Sequence, residues 1–315
     1  MKLSAKFLSI LIFLSLLLSG QSFAWDAATH RLISNLAISR LSEYQRIRLI
    51  NILKQHPRFD EDFTAAMPRQ VAQLNKQNQI PWLLGQAAIW PDLVRSLKGE
   101  MRDSYHRPNW HYIDGAWLRG AARIQGNVYL GIEPLADIEG RSANQVIDRI
   151  NSVDNIVLAL DYNSWLFSDT NSSVQEQAIA LCWVMHLIAD IHNPVHSGSL
   201  FSKVLFPFGD SGGNGIATRD GNLHSNWDRA LSGLNTSFNI QDLTKEFKSL
   251  NLDSISPLDW TRWLANSRQL LLEHVYPQPL RKAILVAEQE HQALSEHDFS
   301  AIYTINRQHI SRQRI

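Results

Sequence analysis

Cysteine is almost missing: Cys182 is the only one in 315 residues. Internal disulfides are therefore excluded, and a fold facing an oxidising compartment must be stiffened by something else, metal ions being one candidate. An excess of one charge is missing too. Lys plus Arg and Asp plus Glu number 30 each, which excludes the basic footprint of a protein that grips nucleic acid through its phosphates. If the substrate is a phosphate ester, its charge must be met locally, by bound cations rather than by a Lys/Arg surface. No apolar run reaches the roughly 20 residues that span a bilayer. Alternating strand patterns are scarce, and no internal repeat, low-complexity tract or Pro/Ser linker divides the chain.

Lys2 and Lys6 stand before the apolar run FLSILIFLSLLL, and Ser22-Phe23-Ala24 has small residues where a signal peptidase reads. Residues 1–24 are thus expected to be a cleaved secretory signal. The mature protein is expected to start at Trp25, be secreted or periplasmic, carry no membrane anchor and form one domain over 25–315. No stable protein partner is implied.

Apolar residues recur at helical spacing over roughly 29–40, 43–55, 62–74, 143–160, 173–192, 257–275 and 279–310. The best alternating segment, NVYLGI at 127–132, reads as a short hairpin or plain loop. These patterns predict an all-α helical bundle with long functional loops. Two segments break the rhythm: the aromatic YHRPNWHYIDGAW at 105–117 and the glycine-rich FPFGDSGGNG at 206–215. Loops on a helical scaffold are where sites tend to sit.

The densest chemistry is HLIADIHNPVH at 186–196. His186 and Asp190 are four residues apart, so both leave one helix face about one turn apart. Pro194 ends that helix and lets His196 swing round. His224 and Asp228 in NLHSNWD repeat the spacing after the glycine-rich loop. One such pair reads equally well as a charged hydrogen bond. Two pairs plus His196 point to a polynuclear metal site. Asp92 in AIWPDLVR and His111 in WHYID add a carboxylate and an imidazole in aromatic settings.

Trp25 with His30, WPD with Arg95, WHYID, HLIADIHNPVH, GDSGGN and LHSNWD occur in that order over Trp25 to Asp228. In this the chain resembles the S1/P1 family of trinuclear-zinc single-strand nucleases, with zinc-dependent phospholipase C as a cousin. The resemblance implies three Zn²⁺ ions. One would be held by the Trp25 amine and carbonyl, His30 and Asp190, since an α-amine with a pKa near 8 can chelate zinc together with its own carbonyl. A second would be held by Asp92, His111, His186 and the same Asp190, and a third by His196, His224 and Asp228. Asp92 would also orient or deprotonate the attacking water, and Arg95 would steady charge on the phosphoryl oxygens. Asn214 would hydrogen-bond phosphate or nucleoside. Tyr112 would stack on a base whose edge Asp114 reads.

The implied activity is hydrolysis of single-stranded DNA and RNA to 5′-phosphorylated products, with 3′-nucleotidase activity on nucleotides. A phospholipase C acting on lipid headgroups and a non-catalytic zinc-binding protein are the alternatives. The chain departs from the family in lacking the disulfides of its fungal members. Its segment between His196 and Asn214 is also long, and Leu200, Phe201, Leu205, Phe206, Pro207 and Phe208 read as a lid. His192 lies on another face of the ligand helix and reads as supporting or structural. His106 competes with His111 for the same role, the WHYID match favouring His111.

Overall fold

The computed structural model describes residues 25–119, 122–134, 153–218, 221–231, 237–249, 259–292 and 294. The expected leader over 1–24 and parts of three expected helices, at 143–152, 257–258 and 295–310, lie outside them. Among the described residues no helix is long and apolar enough to cross a membrane.

The protein is mostly helical. α1 (Ala27–Ser39) starts where Asp26 accepts from the Thr29 amide at 2.9 Å, and it turns His30 inward with Leu32 and Leu36. A Ser42/Gln45 capping box starts α2 (Glu43–Leu53). The pattern at 62–74 does not make one helix. A π turn at Asp60–Thr64 and the single-turn α3 (Arg69–Ala72) take its place.

α4 (Lys76–Leu93) was not foreseen, because Pro81 and Pro91 lie inside it and its second half, Leu83 to Asp92, is buried on every side. A helix apolar all round has no stripe to read, and proline ordinarily signals a break. Burial overrides both signals, since α4 packs on α1 along one flank and on α7 (Val174–Asp190) along another. The short α5 (Gly99–Tyr105) follows it. α6 (Ile156–Ser168), capped by Asn155, lies along α7, which a Ser173/Glu176 capping box begins. α7 ends at Asp190, and a 3₁₀ turn at Pro194–His196 redirects the chain. α8 (Leu223–Asp228), α9 (Ser237–Ser249), α10 (Trp260–Leu270) and α11 (Gln278–Gln289) complete the α-helices among the described residues. α11 stops well short of the expected 310. Its end at Gln289 precedes His291, whose φ of 54° is incompatible with helix.

NVYLGI is neither hairpin nor plain loop. Val128–Leu130 forms β3, paired in parallel with β4 (Leu200–Ser202). β1 (Trp117–Arg119) with β2 (Ala122–Ile124), and β5 (Ala217–Thr218) with β6 (Gly221–Asn222), are antiparallel pairs. The β3–β4 ladder corrects the expected lid. Leu200, Phe201 and Phe206 are buried, whereas Phe208 is 91% exposed. Gly209, at φ 87°, comes so close to the Phe201 ring that a Cβ there would lie 2.8 Å from it, so this part of the segment is core.

Candidate metal centre and substrate cleft

α7 delivers His186 and Asp190 to one point, Nε2 to Oδ2 3.0 Å apart. His111, at the end of a 3₁₀ turn, brings Nδ1 to 3.2 Å from the same Oδ2 and 2.9 Å from His186 Nε2. On α1, His30 stacks on the His186 ring at 4.1 Å and places Nε2 3.3 Å from Asp190 Oδ1. α8 supplies His224 and Asp228, 3.5 Å apart, and His196 Nε2 stands 3.8 Å from Asp228. Three groups able to hold a metal ion result: His30 with Asp92 and His186, His111 with His186 and Asp190, and His196 with His224 and Asp228. All of these side chains except that of His111 are buried.

Backbone carbonyls fix how the rings face. His186 Nδ1 donates to Ala88 O at 2.8 Å, His196 Nδ1 to His111 O at 2.7 Å and His224 Nδ1 to Gly212 O at 2.8 Å. A carbonyl can only accept, so Nδ1 carries a proton in each ring and Nε2 is the nitrogen turned toward the place a metal would take. His30 Nε2, Asp190 Oδ1, His196 Nε2 and Asp228 Oδ2 are buried without a hydrogen-bond partner among the described residues. Lone pairs and carboxylate oxygens facing one another in the dry are costly, and a cation satisfies them. The donor set fits one.

The protonation energetics agree. Burial pushes His30 and His196 below the ordinary imidazole range, and burial with the neighbouring His196 takes His224 down to about 3. These rings are neutral, the form that ligates. At His186 burial also opposes charge, but Asp190 and Asp92 outweigh it and lift the ring to about 9. Burial would raise Asp190 as well, yet His186 and His196 hold it well below the usual carboxylate range. The place between Asp92 and Asp190 thus draws in positive charge. Burial, with the charges of Asp190, Asp92 and Asp26 beside it, outweighs the hydrogen bond from Asn193 and pushes Asp228 well up.

Trp25 is buried, and its indole Nε1 donates to Ala189 O at 2.9 Å. The next residue's amide, Asp26 N, donates to Asp228 O at 3.1 Å. The start of the described chain is therefore pinned between the ends of α7 and α8, where two of the metal-binding groups meet.

A cavity of about 260 Å³ opens over this cluster. Asp92, His111, His196 and His224 wall it together with Arg95, Tyr112, Asp114 and Asn214. Arg95 Nη2 lies 3.4 Å from Asp92 Oδ1, one helical turn on. Tyr112 is 39% exposed and its hydroxyl donates to Asn109 Oδ1 at 3.2 Å. Asp114 accepts from the Ser199 hydroxyl at 2.6 Å. The Asn214 amide donates to Ser211 O at 2.8 Å and accepts from Asn222 at 3.2 Å. His106 also lines the cavity, whereas His192 donates to Ile188 O and packs on Trp263, away from the metal groups.

Several supporting residues were not foreseen. Asn193 donates to Asp228 Oδ1 at 3.0 Å, and its place inside HLIADIHNPVH was the one available hint. Arg268 of α10 is buried and donates to the carbonyls of Ser197, Gln125 and Gly115, which follow or approach site residues in the chain. Nothing in its local sequence marks it. The glycine-rich loop also orients a ring: Gly212, at φ 64°, turns its carbonyl onto His224.

No curated relative matches the chain. The model of the family described as S1/P1 Nuclease matches residues 25–315, beginning at the tryptophan pinned beside Asp190, and the chain belongs to that family.

Proposed function

We propose that residues 25–315, freed of an export signal at 1–24, form one domain that acts as a secreted or periplasmic zinc-dependent phosphodiesterase. It cuts single-stranded DNA and RNA to 5′-phosphorylated products and removes 3′-phosphates from nucleotides. The observation that carries this reading is the shared cavity: Asp92, His111, His196 and His224, which between them belong to all three His/Asp groups able to hold metal, line one space with side chains suited to phosphate and base. Family membership supports the nuclease chemistry itself.

The Trp25 amine and carbonyl, His30 and Asp190 would hold one ion. Asp92, His111, His186 and Asp190 would hold a second, and His196, His224 and Asp228 a third. When bound, zinc would supply Lewis acidity and concentrated positive charge for the phosphate, and nitrogen-and-oxygen donor sets of this kind suit it. This explains how a chain with balanced charge can act on a polyanion. Asp92 orients the attacking water and takes its proton. Arg95, held by Asp92, donates to phosphoryl oxygens as charge gathers on them. Asn214 donates to the phosphate or nucleoside. Tyr112 offers its exposed ring to a base, and the Asp114 carboxylate accepts from that base's edge. Stacking of this kind requires a base already out of a duplex, which gives the preference for single strands.

The test is metal analysis of the processed protein beside hydrolysis of single-stranded DNA, RNA and phosphatidylcholine, with and without chelator. Three zinc ions per chain and chelator-sensitive cleavage leaving 5′-phosphates are expected. Hydrolysis of phosphatidylcholine without cleavage of nucleic acid would assign a lipase instead, and a fully loaded protein without esterase activity would leave metal binding alone.

A further inference from the structure

Ser199 stands between the base-reading wall of the cleft and the third metal-binding group. It is buried, and both its amide and its hydroxyl are committed. The amide donates to Asn127 Oδ1 at 3.0 Å, the same oxygen that accepts from Gly115 N at 3.2 Å, so one asparagine ties the residue after Asp114 to Ser199. Ser199 Oγ accepts from Gly212 N at 2.9 Å. Its own proton is then left for Asp114 Oδ1, 2.6 Å away, a length typical of a hydroxyl bonded to a carboxylate. Gly212 is equally committed at its other end. Its carbonyl accepts from His224 Nδ1 at 2.8 Å, and a Cβ on it would lie 2.3 Å from Val195 O. The chain Asp114, Ser199, Gly212, His224 is continuous, and each link has a fixed direction.

We propose that Ser199 is a positioning residue that couples the base-reading carboxylate to His224. It rests on the function proposed above, in which Asp114 meets a base and His224 holds an ion. A base that engages Asp114 steadies Gly212 through the serine hydroxyl, and so steadies the ring that Gly212 orients. By reciprocity, the ion held through His224 sets the position of Asp114 before substrate arrives.

The experiment follows metal release from the loaded protein to a chelating dye without substrate, in the wild type, Ser199→Ala, Asp114→Ala, Asp114→Asn and Ser202→Ala. Ser199→Ala and Asp114→Ala should each release one ion about tenfold faster, the low end of what partners of a ligating histidine carry. Asp114→Asn keeps an oxygen that accepts from Ser199 and should release near the wild-type rate, which separates the hydrogen bond from the lost charge. Ser202→Ala removes a hydroxyl at the end of β4 that accepts from Phe206 N, without touching the chain of contacts, and should also match the wild type. The double variant Ser199→Ala/Asp114→Ala should be no faster than either single one.

Equal release from wild type, Ser199→Ala and Asp114→Ala overturns the coupling, as does Asp114→Asn behaving like Asp114→Ala, or Ser202→Ala like Ser199→Ala. If Ser199→Ala does not fold, the Asp114 pair, on the cavity wall, decides alone. A wild type that takes up no metal overturns the proposed function and the coupling with it. A wild type holding three ions beside unaltered variants overturns the coupling only.

Discussion

The Trp25 indole donates to the Ala189 carbonyl at 2.9 Å, one residue before the carboxylate that lies within 3.3 Å of three histidines. With Asp26 N bonded to Asp228 O, this holds residue 25 at the cluster without calling on its α-amine. The two roles are therefore separable. A chain beginning at Trp25 should carry three ions. One with a single alanine placed ahead of Trp25 should keep its fold and thermal midpoint but lose one ion and most of its activity. Metal content per chain, measured beside circular dichroism, checks this; full metal loading of the extended chain would remove the amine from the ligand set.

Asp190 reaches His30 through Oδ1 and both His111 and His186 through Oδ2. A carboxylate that divides its oxygens in this way can serve two ions at once. Asp190→Ala should accordingly cost two ions, with the third kept by His196, His224 and Asp228, whose mutual contacts do not run through Asp190. Elemental analysis of the purified variant gives the count. Loss of one ion or none would mean the carboxylate does not bridge.

The pH dependence of the chelated protein follows from His186. Its folded-state pKa is raised from 6.5 to about 9, so it contributes stability that is fully present below about 6.5 and lost as pH rises through 9. Asp228, also raised, acts in the same direction. His224, lowered to about 3, acts the other way only below 6.5, where the unfolded chain takes up a proton that the folded one refuses. Between pH 6.5 and 9 the thermal midpoint of the chelated protein should fall, and in His186→Asn it should fall less. Zinc should reverse the slope for the wild type, because ligation competes with the protons that metal-binding groups shed as pH rises.

What the sequence disclosed follows a physical division. α1 and α7 were legible because each has an apolar stripe and a capping side chain, and the His186/Asp190 and His224/Asp228 pairs because four-residue spacing fixes a face. α4 was hidden by its internal prolines and by burial on all sides. The pairing of Val128–Leu130 with Leu200–Ser202 joins segments far apart in the chain, and no local pattern encodes a partner. Within the centre, the carbonyls of Ala88, His111 and Gly212 decide which imidazole nitrogen faces inward, yet every residue has a carbonyl. Ser199 and Asn127 were silent for a similar reason, since a buried serine or asparagine announces a hydrogen bond without saying to what.

Tyr112 provides the test that divides binding from metal chemistry. It follows His111 in the chain, but its ring lies on the cavity wall, 39% exposed, and its hydroxyl bonds Asn109 rather than any metal-binding residue. Its amide neighbourhood is held by backbone instead: Tyr112 O accepts from Ile156 N at 3.0 Å and Ile113 N donates to His196 O at 2.9 Å, bonds that any side chain at 112 would leave in place. Tyr112→Ala should therefore leave metal content unchanged. Loss of a base-stacking ring typically costs about 1–3 kcal/mol, so KM on nucleotides and short single strands should rise by roughly 5- to 150-fold, with kcat much less affected. Tyr112→Phe should restore most of the affinity, since the ring is retained. If Tyr112→Ala instead sheds metal, the residue shapes the His111 turn and the base is read elsewhere on the wall.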